Sequence, residues 1–188
     1  MSDFQHSALD EWKLVLARLQ YEDPPVEHPR VLLCGAKVWE GSVNPDHRAH
    51  LPRAEWHTTD IFEGPEVDIV GDLQRLHEVT PLRFHGILCP AVLEHVERPW
   101  CAMHSMGQLL LPGGVALVQT HHTFPLHGYP SDYFRFSTEA LKTMAHDAGC
   151  ETVVAHYEAP CTIHPLGEHV WNELGKSYLT VIILMRKK

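Results

Sequence analysis

The stretch FHGILCPAVLEHV, residues 84–96, decides the fold. Its first part, residues 84–88, is a short apolar run, and such runs are typical of strands buried on both faces of a parallel sheet. Working outward from it, six more short runs of this kind predict strands, at residues 31–34, 54–59, 67–70, 115–120, 152–156 and 178–185. The sequence therefore predicts seven strands.

Segments with helical patterning lie between and before these runs. Residues 8–21 carry apolar side chains three and four positions apart, which predicts an amphipathic N-terminal helix. Residues 99–111 and 137–148 predict two more helices, the second with Ser137 as its N-cap and Gly149 at its end. Alternating strands and helices favour an α/β, doubly wound, mostly parallel sheet. The last run follows a long irregular stretch, and we expect it to enter the sheet antiparallel.

Length and composition limit the remaining choices. A chain of 188 residues fits a single domain, and we divide it into an N-terminal helix (1–25), a core (30–157), a substrate loop (121–136) and a last strand (177–186). Five cysteines without a CxxC pair predict free thiols. A net charge of −9 argues against a nucleic-acid partner. Without a signal peptide or a long apolar run, we expect a cytoplasmic protein without a membrane partner; a homodimer is compatible with the sequence.

Four segments together resemble one enzyme family. They are VDIVGDL (67–73), FHGILCPAVLEHV (84–96), LLLPGG (109–114) and HGYPSDYFRFSTEALKTMAHDAGC (127–150). They are similar to class I S-adenosylmethionine-dependent methyltransferases, in particular to a small bacterial single-domain subgroup with the pattern "vleHv... LkPGG... H.yP.DywRf". This resemblance implies a Rossmann-like fold, S-adenosylmethionine as cofactor, and methyl transfer to a small-molecule acceptor.

The resemblance also implies which residues hold the cofactor. In an open α/β sheet, ligands bind beyond the carboxyl ends of the strands, where the strand order changes direction. The matching positions are a glycine after the first strand, an acidic residue and its neighbour after the second, an adenine pocket, and the segment after the fourth strand: Gly35, Asp60, Ile61, Asp72, Leu73, Cys89 and Pro90. The chain departs from the family where the loop GAKVWEGS (35–42) has few glycines and Leu33 replaces an acidic residue.

Candidate catalytic residues follow the fourth and fifth strands. A histidine with a pKa near neutrality can take a proton from an O–H or N–H acceptor, so His95, His122 and His127 are candidate general bases. Asp132, Tyr133 and Arg135 are expected to line the acceptor side, where Arg135 could clamp a carboxylate or phosphate. For Tyr133 and Arg135 a structural latch is an equally good interpretation, and His95 could serve to cap or orient instead.

Two other functions remain open from the sequence. Sixteen histidines permit a metal-dependent enzyme on the same fold, with His121, His122 and His127 joined by His95 or Asp132 as ligands. Leu33 and the glycine-poor loop permit a non-catalytic binding or regulatory subunit. We take methyl transfer as the first hypothesis, and under it we assign no metal ligand.

Overall fold

The computed structural model describes residues 8–18, 25–37, 47–128, 130–164 and 175–188. Within these residues, seven strands form one sheet in the order β3-β2-β1-β4-β5-β7-β6. They are β1 Arg30–Cys34, β2 Glu55–Asp60, β3 Ile69–Val70, β4 Phe84–Pro90, β5 Leu110–His121, β6 Cys150–Thr162 and β7 Lys176–Lys187. The first five are parallel, while β7 is antiparallel to β5 and β6. The predicted α/β sheet and the antiparallel last strand are confirmed.

In the described part of the chain, four α-helices flank the sheet: α1 Ala8–Arg18, α2 Leu76–Val79, α3 Pro99–Leu109 and α4 Thr138–Asp147. Single 3-10 turns lie at His47–His50 and Leu93–His95. The predicted cap of α4 is present, since the Ser137 side chain accepts a hydrogen bond from the amide of Ala140. Gly149 ends α4 with a positive φ of 73°, a conformation that favours glycine.

The side chains of the central strands alternate between two buried clusters, one on each face of the sheet. In β1, Leu32 and Cys34 pack among residues of α2, α3 and α4, whereas Val31 packs with α1. The same alternation runs along β5 and β7. It follows from the two-residue period of a strand, and it explains why these runs are continuously apolar.

Helix α1 packs closely on the sheet through a glycine. A Cβ built on Gly86 of β4 would lie 2.7 Å from Leu16 Cδ1 and 3.3 Å from the Trp12 ring. Both side chains are buried, and α1 contributes them to the cluster that includes Val31, Leu88 and Val115. The absence of a side chain at residue 86 is therefore what lets the helix approach the sheet.

The structure corrects several predicted boundaries. β6 and β7 are each longer than predicted and pair with one another, β3 is only two residues long, and α2 was not predicted. Helix α3 ends at Leu109 because Leu110 already begins β5. Three parts of the prediction lie outside the described residues. They are the end of the first helix at residues 19–21, most of the glycine-poor loop with Trp39, and Tyr129 of the substrate loop. Among the described helices, none is long and apolar enough to traverse a bilayer.

Candidate active site at the carboxyl edge of the sheet

The strand order changes direction at the pair β1 and β4. From β1 the chain builds outward through β2 and β3 on one side, and from β4 through β5 on the other. This is the switch point at which ligands bind in open α/β sheets. The predicted site residues follow β1, β2 and β3 on one side of it and β4 and β5 on the other.

Gly35 follows β1 in a conformation that requires glycine. Its φ is +72°, and an added Cβ would lie 2.6 Å from Val92 Cγ2, in the segment after β4. Its amide donates to the carbonyl of Thr59 in β2. Exposed backbone is thus placed at the switch point by a turn that links three strand ends.

Asp60 ends β2 and organises the two neighbouring loops. Its Oδ2 accepts a hydrogen bond from the amide of Lys37, and its Oδ1 accepts one from the amide of Phe62, both at 3.0 Å. A carboxylate has about four acceptor positions, and the described residues occupy two of those of Asp60. The adjacent Ile61 is 52% exposed and offers apolar surface for a base.

The candidate adenine pocket is more closed. Leu73 is buried, and Asp72 accepts hydrogen bonds from the amide and the side-chain nitrogen of Gln74. These contacts hold the turn between β3 and α2 in place. Asp72 lies 12 residues beyond Asp60 along the chain, yet the amide of Gly71 donates to the carbonyl of Asp60, which brings the two turns together.

At the end of β4, backbone groups are accessible to a ligand, whereas the thiol of Cys89 is not. Cys89 is buried among the core side chains, and a hydrogen bond with Cys34 together with burial raises the pKa of its thiol. Pro90 is partly exposed, and Ala91 has a positive φ of 49° with its amide donating to the carbonyl of Gln119. Such a conformation in a non-glycine residue is uncommon and concentrates at functional sites.

Glu94 is the residue that sequence reasoning missed. It lies in the 3-10 turn after β4 and is completely buried, with Oε2 accepting a hydrogen bond from Thr120 Oγ1 at 2.7 Å. Nε2 of His121, the last residue of β5, lies 3.1 Å from Glu94 Oε1. Burial opposes ionisation, but His121 and Thr120 outweigh it and hold the pKa of Glu94 below its usual value. The available signal was a charged residue between Leu93 and His95 in an apolar stretch.

Two predicted bases, His95 and His127, lie beside this glutamate. His95 Nδ1 is 2.6 Å from the carbonyl oxygen of Ser131, and because a carbonyl only accepts, this nitrogen carries the proton. His95 Nε2 then has the free lone pair, 3.9 Å from Glu94 Oε1. The His127 ring lies edge-on to His95 at 4.8 Å and to His121 at 5.1 Å between ring centroids.

His122 is held elsewhere. Its Nδ1 donates to the carbonyl of Phe136 at 2.7 Å, and its ring lies against Tyr157 of β6 at 4.6 Å. The group of potential ligand atoms around Glu94 does not include it. Neighbours on a strand point to opposite faces, which separates His122 from His121 at the end of β5.

Asp132 and Arg135 pin the loop that follows β5. Arg135 pairs with both carboxylate oxygens of Asp132, at 2.5 and 2.7 Å, and donates to the carbonyls of Phe124, Pro125 and Phe134. All five donors of the guanidinium are therefore engaged, which favours the structural latch over a substrate clamp. The Arg135 contact and the amide of His127 hold the pKa of Asp132 well below its usual range.

Tyr133 joins this loop to the turn after β4. Its amide donates to the carbonyl of Glu94 at 2.8 Å, while half of its side chain stays exposed. The ring of Phe124 stacks on His121 with 3.9 Å between centroids. The loop thus covers the histidines, with Tyr133 at its surface.

Comparison with solved structures identifies the architecture. The chain resembles a SAM-dependent methyltransferase from Archaeoglobus fulgidus at 16% identity, over 94% of both chains, with a TM-score of 0.59. It also resembles 1,6-didemethyltoxoflavin-N1-methyltransferase of Burkholderia thailandensis, solved with bound 1,6-didemethyltoxoflavin and S-adenosylhomocysteine. The identity is 16% over 98% of this chain and 80% of that one, with a TM-score of 0.60. An S-adenosylmethionine-dependent methyltransferase from Mesorhizobium loti matches at 17% identity over 96% and 100% of the two chains, with a TM-score of 0.59.

These likenesses establish the Rossmann-like methyltransferase fold. No protein-family model matches the sequence, and no curated protein matches it.

Proposed function

We propose that the chain transfers a methyl group from S-adenosylmethionine to a small-molecule acceptor. The observation that carries the proposal is the arrangement at the switch point. There Gly35 exposes backbone, Asp60 has two acceptor positions that no described residue occupies, and Ile61 presents apolar surface. A carboxylate can accept hydrogen bonds from sugar hydroxyls, apolar surface can pack against a purine base, and exposed backbone lets the ligand approach closely. The methyltransferase fold supports the same assignment.

On this proposal the two sides of the switch point have separate tasks. Gly35, Asp60, Ile61, Asp72 and Leu73 hold the nucleoside, and the backbone of residues 89–91 borders the methionine part. The bound cofactor supplies an electrophilic methyl group on a sulfonium. The protein contributes alignment of the acceptor, exclusion of water and removal of a proton.

His95 is the general base that the geometry favours. Its Nδ1 proton is held by Ser131, so Nε2 is free to accept a proton from an acceptor. Glu94, ionised and 3.9 Å away, stabilises the imidazolium that forms. His127 is the second candidate, because its Nδ1 lies 3.2 Å from the carbonyl of Pro125 and leaves Nε2 unprotonated.

A small acceptor suits the charge and the enclosure of this side. The net charge of −9 disfavours a polyanion, and beside the pinned loop the side chains of His95 and His121 are only 15% and 12% exposed. The neighbour from Burkholderia thailandensis is a 1,6-didemethyltoxoflavin-N1-methyltransferase that was solved with 1,6-didemethyltoxoflavin bound. The acceptor therefore belongs to the class of small molecules with a proton on the attacking atom.

Calorimetric titration with S-adenosylmethionine tests the cofactor. We expect one equivalent to bind, and Asp60→Asn to weaken binding by about tenfold to a hundredfold, because a hydrogen bond to a charged group contributes roughly 1.5–3 kcal/mol. The control is Glu63→Gln, an exposed carboxylate three residues away. No binding to the wild-type chain at millimolar ligand would overturn the proposal and favour a non-catalytic subunit.

Release of S-adenosylhomocysteine tests the acceptor class. We expect turnover with the low-mass fraction of a cell extract and none with its protein or nucleic-acid fractions. His95→Gln should lower that turnover by on the order of a hundredfold or more while leaving cofactor binding unchanged. The control His146→Gln changes an exposed histidine of α4. Turnover only with a macromolecular fraction would contradict a small acceptor.

A further inference from the structure

A carboxylate oxygen lies buried without a hydrogen bond beside His121. Oε1 of Glu94 accepts none from any residue that the structure describes, although Oε2 is satisfied by Thr120. Nδ1 of His121 is likewise buried without a described partner. Leaving a buried carboxylate oxygen unsatisfied is costly, so Glu94 Oε1 indicates a further binding partner beyond the described side chains.

The spacing around Glu94 Oε1 is that of atoms sharing one ion. His121 Nε2 lies 3.1 Å from this oxygen, but the pair does not meet hydrogen-bond geometry. Ligands held at about 2.0–2.2 Å from a common metal, at angles between octahedral and tetrahedral, are themselves roughly 3 Å apart. A ligand atom of His127 completes a group in which all three atoms lie within 4.8 Å of one another.

The surroundings of His127 orient it as a ligand. Its Nδ1 lies near the carbonyl of Pro125, which leaves Nε2 as the free nitrogen. Its amide donates to Asp132, and that carboxylate is fixed by Arg135. Hydrogen bonding of the second ring nitrogen and of the supporting carboxylate is the usual way in which proteins orient a metal-binding histidine.

The ligand set selects the kind of ion. Two imidazoles and one carboxylate suit Zn²⁺ or Fe²⁺, whereas Mg²⁺ and Ca²⁺ prefer oxygen ligands alone. Three protein ligands leave a position open for water or a substrate atom. His95 Nε2 lies 3.9 Å from Glu94 Oε1, so a further imidazole nitrogen is next to these ligands.

We propose that Glu94, His121 and His127 form a binding site for a divalent transition-metal ion. This ligand set differs from the alternative metal site considered in the sequence analysis. Glu94 takes the place of His122, and the candidate ligand Asp132 already binds Arg135 and the amide of His127. It does not depend on methyl transfer, and a metal there would face the acceptor side.

Titration of the chelator-treated full-length chain with Zn²⁺ alone tests the site. We expect one tight equivalent by calorimetry, and Glu94→Gln and His127→Ala should each weaken it by a hundredfold or more. Co²⁺ as a spectroscopic probe should give visible absorption that both variants lose. His146→Ala and His156→Ala are the matched controls, since both histidines lie beside a carboxylate outside this cluster, and both should keep the tight equivalent.

Two results would overturn the site. One is an unchanged tight equivalent in both Glu94→Gln and His127→Ala; the other is loss of that equivalent in His146→Ala or His156→Ala, which assigns it to surface histidines. His127 is in a partly exposed loop, so its variant is expected to fold even if Glu94→Gln does not. Titrating the same samples with S-adenosylmethionine keeps the two questions apart, because failure of the metal site leaves cofactor binding intact.

Discussion

At the carboxyl edge of the sheet, the ends of β1 and β2 are organised by backbone groups, whereas the ends of β4 and β5 are organised by side chains. In the first half, Gly35 and Asp60 join neighbouring turns through main-chain amides and carbonyls. In the second half, a buried carboxylate meets histidines, and an arginine fixes the covering loop. Under the proposed function, the first half is assigned to the cofactor and the second half to the acceptor.

The largest expected effect concerns the covering loop of the second half. Arg135→Ala leaves the mostly buried Asp132 without its partner, and loss of such a contact costs about 2–3 kcal/mol. Amide hydrogen exchange in residues 122–136 should then accelerate by on the order of a hundredfold, since 1.4 kcal/mol is about tenfold. Exchange at Gly35 and Ala36 should not change.

The control for this loop is Lys142→Ala, which removes a surface ion pair with Glu139. Exposed pairs contribute roughly 0–1 kcal/mol, so exchange should change little. Equal acceleration at Gly35 in Arg135→Ala would show that the two halves are not independent.

A smaller effect is expected in the first half from Gly35→Ala. A non-glycine residue at this φ costs roughly 1–2 kcal/mol, and the 2.6 Å approach to Val92 adds to it. We expect the melting temperature to fall by about 4–8 °C for a total near 2 kcal/mol.

Gly113→Ala separates the two causes. Gly113 has a φ of +77° with nothing within 4 Å of an added Cβ, so only the backbone cost applies. Adding Val92→Ala to Gly35→Ala should remove the contact. The melting temperature should then recover by the difference between Gly35→Ala and Gly113→Ala. Equal melting temperatures for Gly35→Ala and Gly113→Ala would remove the Val92 contact from the argument.

The smallest effect is expected from Ala91→Gly, a position of the second half that is held by a backbone hydrogen bond to Gln119. Glycine relieves the positive φ of 49° but adds freedom to the unfolded chain, and the two terms are each about 1 kcal/mol. The melting temperature should therefore shift by less than about 2 °C. Ala159→Gly, with a φ of 54° in β6, is the control. A loss above about 4 °C in Ala91→Gly alone would mean that the Ala91 methyl group is itself required.

The sequence predicted the parts of the fold that local patterns encode. Short apolar runs placed the strands, and Ser137 and Gly149 placed the ends of α4. The length of β6 and β7 was underestimated because their outer residues are polar and are held by pairing along the whole length of the two strands. β3 was overestimated because only Ile69 and Val70 pair with β2.

The candidate site was predicted unevenly for the same reason. Gly35 and Asp60 follow directly from strand ends, so their positions were readable. Glu94 meets His121 only through the β4 and β5 register and the turn at Leu93–His95, which no local pattern specifies. Arg135 was ambiguous because its role depends on carbonyls of its own loop, such as that of Phe124.

The close seating of α1 over Gly86 has a consequence for handling the protein. In the described chain, α1 is the α-helix that covers Val31, Leu88, Val115 and Leu117 on its face of the sheet. A truncation that removes the first 18 residues exposes this apolar surface to solvent, and large exposed apolar patches promote aggregation. Such a shortened version should accumulate in inclusion bodies, so expression trials need the intact amino terminus.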